Sequence, residues 1–524
     1  MERFWRFSIF FLLFLVTFAR NPCRQRVYPD TATGAAIGCV CNASYCDDFD
    51  DVGNITKDAF VLFLSSRDGN RMDRIDYHFT AFPNVSDTIT IDFGKRFQKV
   101  LGFGGAITDS VGVNLRKLSQ ATSDQLINQY YGKAGIGYRL TRTVVASADF
   151  STHVYSYNDV DQDFDMKNFN LTQEDYLYKI PYIKQALSLS KANGIDLKLF
   201  CTAWAPPGWM KSNGKMEGGA KMKGSTDGPY YKAYATYYKR FFEEYHKEGI
   251  DYWGMTPTNE PLEGRNADYK FQVVNFEAED ERDFIKYHLG PMLQENDFTK
   301  NISLLIGDEN RYAFPDFADT ILGDPMAAPY VSGFAYHWYA DEGIPPDVID
   351  QTIQKHPGYI NLYTEACAGW HDYELSPVMG DWGRADLYAH NIIEDMSHGV
   401  QGWVDWNLVL DSQGGPNWVQ NFVDAPIIAN FTADEFIKQP MFYILAHFSK
   451  FVLPDYTRIG FVSPDLNLEG LAFLSTDQTK RVVMLHNQDS QNGHSYTLQD
   501  TGNTLRFANL YLPPSSFTTL IYNM

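Results

Sequence analysis

Cysteines, basic residues and long apolar runs are all scarce in this chain of 524 residues. Lys and Arg number 44 against 65 Asp and Glu, a formal charge of -21. That balance opposes binding to nucleic acid and to an anionic membrane surface. The main apolar run, Phe7 to Ala19, is too short for a membrane-spanning helix, which needs about 20 residues. Arg3 and Arg6 precede it and small or polar Thr17 and Ala19 close it, so residues 1–19 read as a secretory signal peptide. A transmembrane segment is not expected. Also missing are H-E-x-x-H, a paired C-x-x-C and Gly-x-Ser-x-Gly, so metal and serine hydrolysis lack their usual residues. No metal and no cofactor is expected.

Of six cysteines, Cys23, Cys39, Cys41 and Cys46 crowd the start, while Cys201 and Cys367 fall in predicted strands. Four clustered cysteines allow three pairings, with a zinc site as the rival. The signal peptide and the lack of a nearby histidine pair favour two disulfides. The other two read as buried thiols. N-x-S/T sequons stand at Asn42, Asn54, Asn84, Asn170, Asn301 and Asn430, and they support the secretory route only beside the signal peptide.

What is abundant is aromatic: 15% Phe, Trp and Tyr within 44% hydrophobic residues. This supports a large core and supplies rings on which sugar C–H faces stack. From about Gln98 to Trp406 an apolar run, a polar turn and an amphipathic helix alternate. The expected strands are Val100–Phe103, Tyr138–Val145, Leu197–Cys201, Trp253–Met255, Leu304–Ile306, Gly333–Tyr336, Ile360–Tyr363 and Trp403–Trp406. Asp175–Lys191, Tyr230–His246, Glu281–Gln294 and Arg384–His398 are the clearest helices. Eight such units predict an α/β fold, a (β/α)8 TIM barrel covering 98–406 and 441–455. Short alternating strands in 47–97 and 456–524 predict a discontinuous all-β sandwich. Residues 20–46 with 407–440 predict a small antiparallel β-sheet.

Two apolar runs end on a glutamate: Trp253-Gly254-Met255-Thr256-Pro257-Thr258-Asn259-Glu260-Pro261, and Tyr359-Ile360-Asn361-Leu362-Tyr363-Thr364-Glu365-Ala366-Cys367. Both read as strands delivering a carboxyl to one barrel rim, and their spacing fits three βα units. Splitting a glycosidic bond with retention needs two carboxyls about 5 Å apart. Glu260 is the candidate acid/base and Glu365 the nucleophile, with Asn259 placed to bond the sugar 2-hydroxyl. Other strand ends offer Arg142, Asp149, Trp204, His337, Trp338, Tyr339, Asp405, Trp406 and Asn407. Arg142 is suited to keeping a catalytic carboxylate ionised, and Asp149 to accepting bonds from sugar hydroxyls. Gly102 to Asp109 looks superficially like a phosphate loop but lacks the Walker ending, and reads as a rim turn capped by Asp109.

Several segments resemble glycoside hydrolase family 30: Phe103-Gly104-Gly105-Ala106-Ile107-Thr108-Asp109, Thr258-Asn259-Glu260-Pro261, Thr364-Glu365-Ala366-Cys367, Asp405-Trp406-Asn407-Leu408, Gly414-Gly415-Pro416-Asn417-Trp418-Val419 and Lys438-Gln439-Pro440-Met441-Phe442-Tyr443. The resemblance covers nearly the whole mature chain. It implies cleavage of glucosylceramide to glucose and ceramide in the lysosome, at a membrane surface. It matches Glu260 to the acid/base and Glu365 to the nucleophile. Asp149, Trp204, Asn259, Trp406 and Asn421 match glucose-contacting positions, and Arg142 and Tyr339 match residues bordering the carboxylates. It further implies the pairs Cys23–Cys39 and Cys41–Cys46, a saposin-type activator, anionic phospholipid and a lysosomal sorting receptor. Ala148 stands where the family often has a free cysteine, and Gly264 to Asn275 departs from the usual pattern after the acid/base. Rival readings are another β-glycoside, such as a glucan or sterol glucoside, as substrate, and a sugar-binding or sorting protein on an inactive barrel.

Overall fold

Eight parallel strands close into a barrel in sequence order, each hydrogen-bonded to the next and the eighth to the first. They are Gly102–Ile107, Leu140–Val145, Lys198–Ala203, Gly254–Met255, Ser303–Asn310, Val331–His337, Ile360–Glu365 and Gly402–Asn407. The computed structural model describes residues 20–371 and 374–524. The expected signal peptide lies outside the described residues. Inside the barrel, Leu140, Phe200, Leu305, Ala335, Leu362 and Val404 form one buried cluster from six strands. Burial on both faces explains why these strands are apolar without strict alternation.

The first strand departs from the reading of Gly102 to Asp109 as a rim turn. Gly102–Ile107 is itself the strand, and the helix cap is Thr108, whose hydroxyl accepts the Val111 N–H. The glycines serve close strand packing. A Cβ on Gly104 would fall 2.1 Å from the Leu140 carbonyl oxygen, which no relaxation of a side chain could relieve. Asp109, on the first turn of that helix, is buried and accepts hydrogen bonds from Ser151 and Tyr155.

The outer helices follow the apolar periodicity closely. Pro229–Lys247 starts with Pro at its first position and buries Tyr234, Tyr237, Tyr238, Phe241 and Tyr245 against the barrel. Ile180–Ala192, Ala278–Phe284 with its continuation to Leu293, and Trp382–Ser397 occupy the other predicted positions. The helix Pro440–Phe451 is buried nearly all round. Phe448 contacts Phe517 at a ring separation of 5.3 Å and Phe451 contacts Phe63 at 4.4 Å, joining the barrel to the β module.

That module is a nine-stranded sheet built from both chain ends, in which Thr88–Lys99 pairs with Thr457–Val462 and Ala59–Ser66 with Ser516–Asn523. Its own core includes Phe60, Ile91, Val483, Leu498, Leu510 and Tyr522. A third sheet of five strands joins Gln25–Thr31 and Gly34–Asn42 to Glu435–Lys438, Ile427–Asn430 and Leu410–Asp411, and it departs from the expected antiparallel sheet in that Leu410–Asp411 runs parallel to Ile427–Asn430. Here Cys23 is bonded to Cys39 and Cys41 to Cys46, so these four thiols are not available to zinc. Cys201 and Cys367 are buried free thiols.

Candidate active site

Glu260 sits on the segment leaving the fourth strand, in the left-handed region with φ +41°. Such a backbone costs a non-glycine residue on the order of 1 kcal/mol or more, and persists only where neighbours hold it. Its N–H donates to the Asp308 carbonyl at 2.9 Å, and Asn259 N–H to the Ala203 carbonyl at 2.9 Å. Asp308, at the end of the fifth strand, is itself left-handed with φ +54°. The loop is thus tied to both flanking strands, and the carboxyl is aimed across the barrel mouth.

Glu365 ends the seventh strand. Its Oε1 accepts from the Tyr339 hydroxyl at 2.6 Å, and its Oε2 accepts from the Arg142 guanidinium. The same guanidinium donates to Asn259 Oδ1 at 2.8 Å and Asp308 Oδ2 at 2.7 Å. It lies fully buried against the Trp204 and Trp406 rings, 5.1 and 5.3 Å from their centres. Each Glu365 oxygen thus receives one donor, which fixes the orientation of the carboxyl group. Burial pushes the Tyr339 hydroxyl far above its ordinary range, so it remains a neutral donor.

Between the two glutamates stands a charged bridge. His337 Nδ1 meets Glu260 Oε1 at 3.1 Å, and Nε2 meets Asp308 Oδ1 at 3.1 Å. Burial would lower the imidazole, but Glu365 and Asp308 outweigh it and push His337 up to about 10. The ring is an imidazolium donating through both nitrogens. Burial likewise disfavours ionised Asp308, yet Arg142 and His337 hold it well below the usual carboxylate range. Burial, assisted by Glu365 and opposed by the His337 hydrogen bond, pushes Glu260 up to about 7. Glu260 is therefore protonated at mildly acidic pH, across from Glu365 with its two donors.

One oxygen of Glu260, one of Glu365 and one nitrogen of His337 all lie within 4.8 Å of one another. The trio has the residue types of a metal site. Both His337 nitrogens are already engaged by carboxylates at 3.1 Å, Glu260 on one side and Asp308 on the other.

The glutamates open into a cleft of about 260 Å³. Asp149, Trp204, Asn259, Tyr339, Trp406 and Asn421 all line it, whereas Arg142 lies beneath. Trp204 and Trp406 stack with centres 5.2 Å apart. Asn417 and Asn421 each donate to Asp149 Oδ2 at 3.0 Å. Burial raises Asp149 to about 6 against these two bonds. The half-buried rings of Tyr269, Phe271 and Trp370 add apolar surface to the same cleft.

Three strand-end residues are not brought to the cleft. Trp338, just past the end of the sixth strand, packs on Tyr388 and Trp403. Asp405 accepts from Tyr388 and Asn407 from Thr108. Asp308 was missed by the sequence reading, which stopped the fifth strand at Ile306. Its signal was available: like Glu260 and Glu365, it is an acidic residue just past an apolar run. Tyr269, Phe271 and Trp370 lie on loops with no periodicity to mark them.

The profile of the glycosyl hydrolase family 30 TIM-barrel domain matches residues 100–452, and that of the family 30 beta sandwich domain matches residues 457–520. A Caenorhabditis elegans protein described as "Putative glucosylceramidase 4" is 45% identical over 93% of this chain and 93% of its own. The mouse (Mus musculus) lysosomal acid glucosylceramidase is 40% identical over 91% of this chain and 92% of its own. The crystal structure of SrfJ from Salmonella typhimurium superposes with a TM-score of 0.81 at 26% identity, covering 89% of this chain and all of that one.

Proposed function

As a member of glycosyl hydrolase family 30, the chain is a glycoside hydrolase, and we propose that its substrate is glucosylceramide, split into glucose and ceramide with retention. The observation that carries this reading is the approach of Glu260 and Glu365 to within 4.8 Å. That gap suits direct attack by one carboxylate and leaves no room for the intervening water of an inverting enzyme.

In the first step a Glu365 carboxylate oxygen bonds to the anomeric carbon. The bond from that carbon to the ceramide oxygen breaks, and its electron pair takes the Glu260 proton. In the second step Glu260, now a carboxylate, takes a proton from water. The water oxygen displaces Glu365 from the anomeric carbon and glucose leaves. Arg142 and Tyr339 hold Glu365 in place. Asn259, its Oδ1 engaged by Arg142, has amide hydrogens to offer the sugar 2-hydroxyl. Asp149 and Asn421 bind further hydroxyls, while Trp204 and Trp406 wall the sugar. Tyr269, Phe271 and Trp370 receive the first part of the lipid.

The reading extends to setting. The likeness to the lysosomal mouse enzyme, and an acid whose working proton is retained below about 7, support action in the lysosomal lumen. Entry through the signal peptide and a sorting receptor, and help from a saposin-type activator and anionic phospholipid, belong to the same proposal. Among the described residues no helix is long and apolar enough to cross a membrane. Of the six sequons, Asn54, Asn84, Asn170 and Asn301 are exposed and are the sites proposed to carry glycans, whereas Asn42 and Asn430 are half-buried. Residues 20–46 with 407–440, 47–97 with 456–524, and 98–406 with 441–455 are proposed as the three domains.

The test compares kcat/KM for detergent-dispersed glucosylceramide with that for soluble β-linked gluco-oligosaccharides and a sterol glucoside. Preference for glucosylceramide supports the proposal. Preference for a 1,6-linked glucan, the substrate named for a Trichoderma harzianum relative 25% identical over 74% of this chain, would replace it.

A further inference from the structure

A second concave site lies at the opposite end of the barrel from the catalytic cleft. It is a recess of about 440 Å³ formed where helices return to strands, and its only charged lining groups are Lys133, Arg139 and Lys450. The turn Gly132–Gly137 leads into the second strand, Ala192–Ile195 leads into the third, and Ser449 and Lys450 end the helix Pro440–Phe451. In a chain of formal charge -21 this is a local inversion of sign.

Arg139 and Ser449 have no internal side-chain partner there. Among the described residues, the Arg139 guanidinium has no hydrogen bond and no carboxylate within ion-pair distance, and its Nε is buried without a partner. Ser449 is 1% exposed, and its Oγ is likewise buried and unpartnered. Lys450 makes one long bond, 3.4 Å to the Gly135 carbonyl, and its Nζ lies 5.5 Å from the centre of the Phe49 ring. The counter-charges that act on Lys450 are Asp48 and Asp51, and neither lines the recess. Three helices end here, Gln120–Tyr131, Ile180–Ala192 and Pro440–Phe451, and cations often cap helix C-termini. Their dipoles account for part of the attraction for cations, but their final carbonyls are met by backbone, as Gly132 N–H to Asn128, Asn193 N–H to Leu189 and Val452 N–H to Phe448 show, so the cations' N–H groups are not needed to cap them. An oxyanion in the recess would offer acceptors to both the Arg139 guanidinium and the Ser449 hydroxyl. A guanidinium fork flanked by two ammonium groups and a hydroxyl fits a compact dianion with several oxygens better than a single carboxylate.

We propose that the recess lined by Lys133, Arg139, Lys450 and Ser449 is a binding site for a phosphate monoester group, remote from the catalytic carboxylates. The group could come from a soluble phosphate or from a lipid headgroup, and the chemistry recognised is the same.

The experiment uses the full mature protein. Inorganic phosphate and glucose 6-phosphate are titrated calorimetrically against chloride at matched ionic strength, and binding to vesicles containing phosphatidic acid is measured by flotation. The variants are Arg139→Gln and, because Lys133 is exposed and its replacement safe for folding, Lys133→Gln. Saturable phosphate binding weakened about tenfold or more in Arg139→Gln, and less in Lys133→Gln, supports a soluble source. Vesicle binding lost in these variants, without binding of free phosphate, supports the lipid source. If phosphate and vesicle binding are equal in wild type and both variants, or no different from chloride, the proposal is overturned.

Discussion

His337 joins Glu260 to Asp308 through its two ring nitrogens, 3.1 Å to each carboxylate, so the acid of the cleft is wired to a buried anion that Arg142 also holds. The alkaline limb of activity follows from this. Glu260 must be protonated to release the leaving group, and it is raised to about 7, so kcat/KM falls as pH rises through about 7. The His337 charge restrains that rise. In His337→Gln the limb moves to higher pH while kcat drops. A pH profile of kcat/KM for both proteins checks this, and an unmoved limb would show that the imidazolium does not set the acid.

The two glutamates give different failures. Glu365→Gln removes the nucleophile and abolishes turnover of every substrate, along with covalent labelling by a cyclitol epoxide. Glu260→Gln removes the proton donor of the first step, a contribution of about 10²–10⁴-fold to kcat/KM, and the base of the second. The loss in kcat/KM is therefore severe on glucosylceramide and much smaller on a glucoside with an activated aryl leaving group. Equal losses on the two substrates in Glu260→Gln would refute the assigned roles.

How much of this was legible depends on geometry that a linear pattern carries or does not. Seven of the eight barrel strands were readable as apolar runs before a polar turn, whereas the first, expected at Val100–Phe103, runs from Gly102 to Ile107. Glu260 and Glu365 stood out because each terminates such a run. Trp338, Asp405 and Asn407 were in view for the same reason, yet they face other strands and helices; for Asp405 and Asn407 this follows because successive side chains on a strand point to opposite faces. The glycines of Gly102–Ile107 suggested a turn because the approach of Leu140 that requires them is between strands, not within the segment. The bridging role of Asp308 depends on Arg142 and His337, 166 and 29 residues away. Only the closed barrel brings them together.

The small sheet depends on covalent closure. Cys23 and Cys39 are 16 residues apart and Cys41 and Cys46 only 5. In the chain-entropy account the first closure contributes about 3 kcal/mol and the second about 2 kcal/mol. Replacing Cys23 and Cys39 together by serine should lower the urea midpoint more than replacing Cys41 and Cys46. The effect should fall on unfolding of residues 20–46, read by hydrogen exchange, with kcat retained at temperatures where the barrel is folded. The reverse order would mean that local packing, such as the buried Lys438–Asp47 pair at 2.8 Å, outweighs loop closure.

Stability should respond to pH in two opposing ways that single variants separate. Burial, opposed by the Tyr388 hydroxyl and the Trp406 N–H, raises Asp405 to about 8, against about 4 in an unfolded chain. Between those values the folded protein keeps a proton that the unfolded chain has released. Stability therefore falls as pH rises, by on the order of 1 kcal/mol per unit. Asp405→Asn keeps an acceptor for Tyr388 and abolishes this slope, stabilising the protein most near neutral pH and least in acid. His447 acts oppositely. Burial lowers it to about 3, where it sits neutral between Thr519 and Ser65, 2.8 and 2.9 Å away. The unfolded chain binds a proton at this residue below about 6.5 that the folded one refuses, so its contribution is lost as pH falls. His447→Gln should then unfold less steeply with acid than wild type. Urea unfolding of wild type and both variants at about pH 5 and about pH 8 measures these slopes. Parallel pH dependence in all three proteins would mean that neither buried group is held away from its ordinary titration.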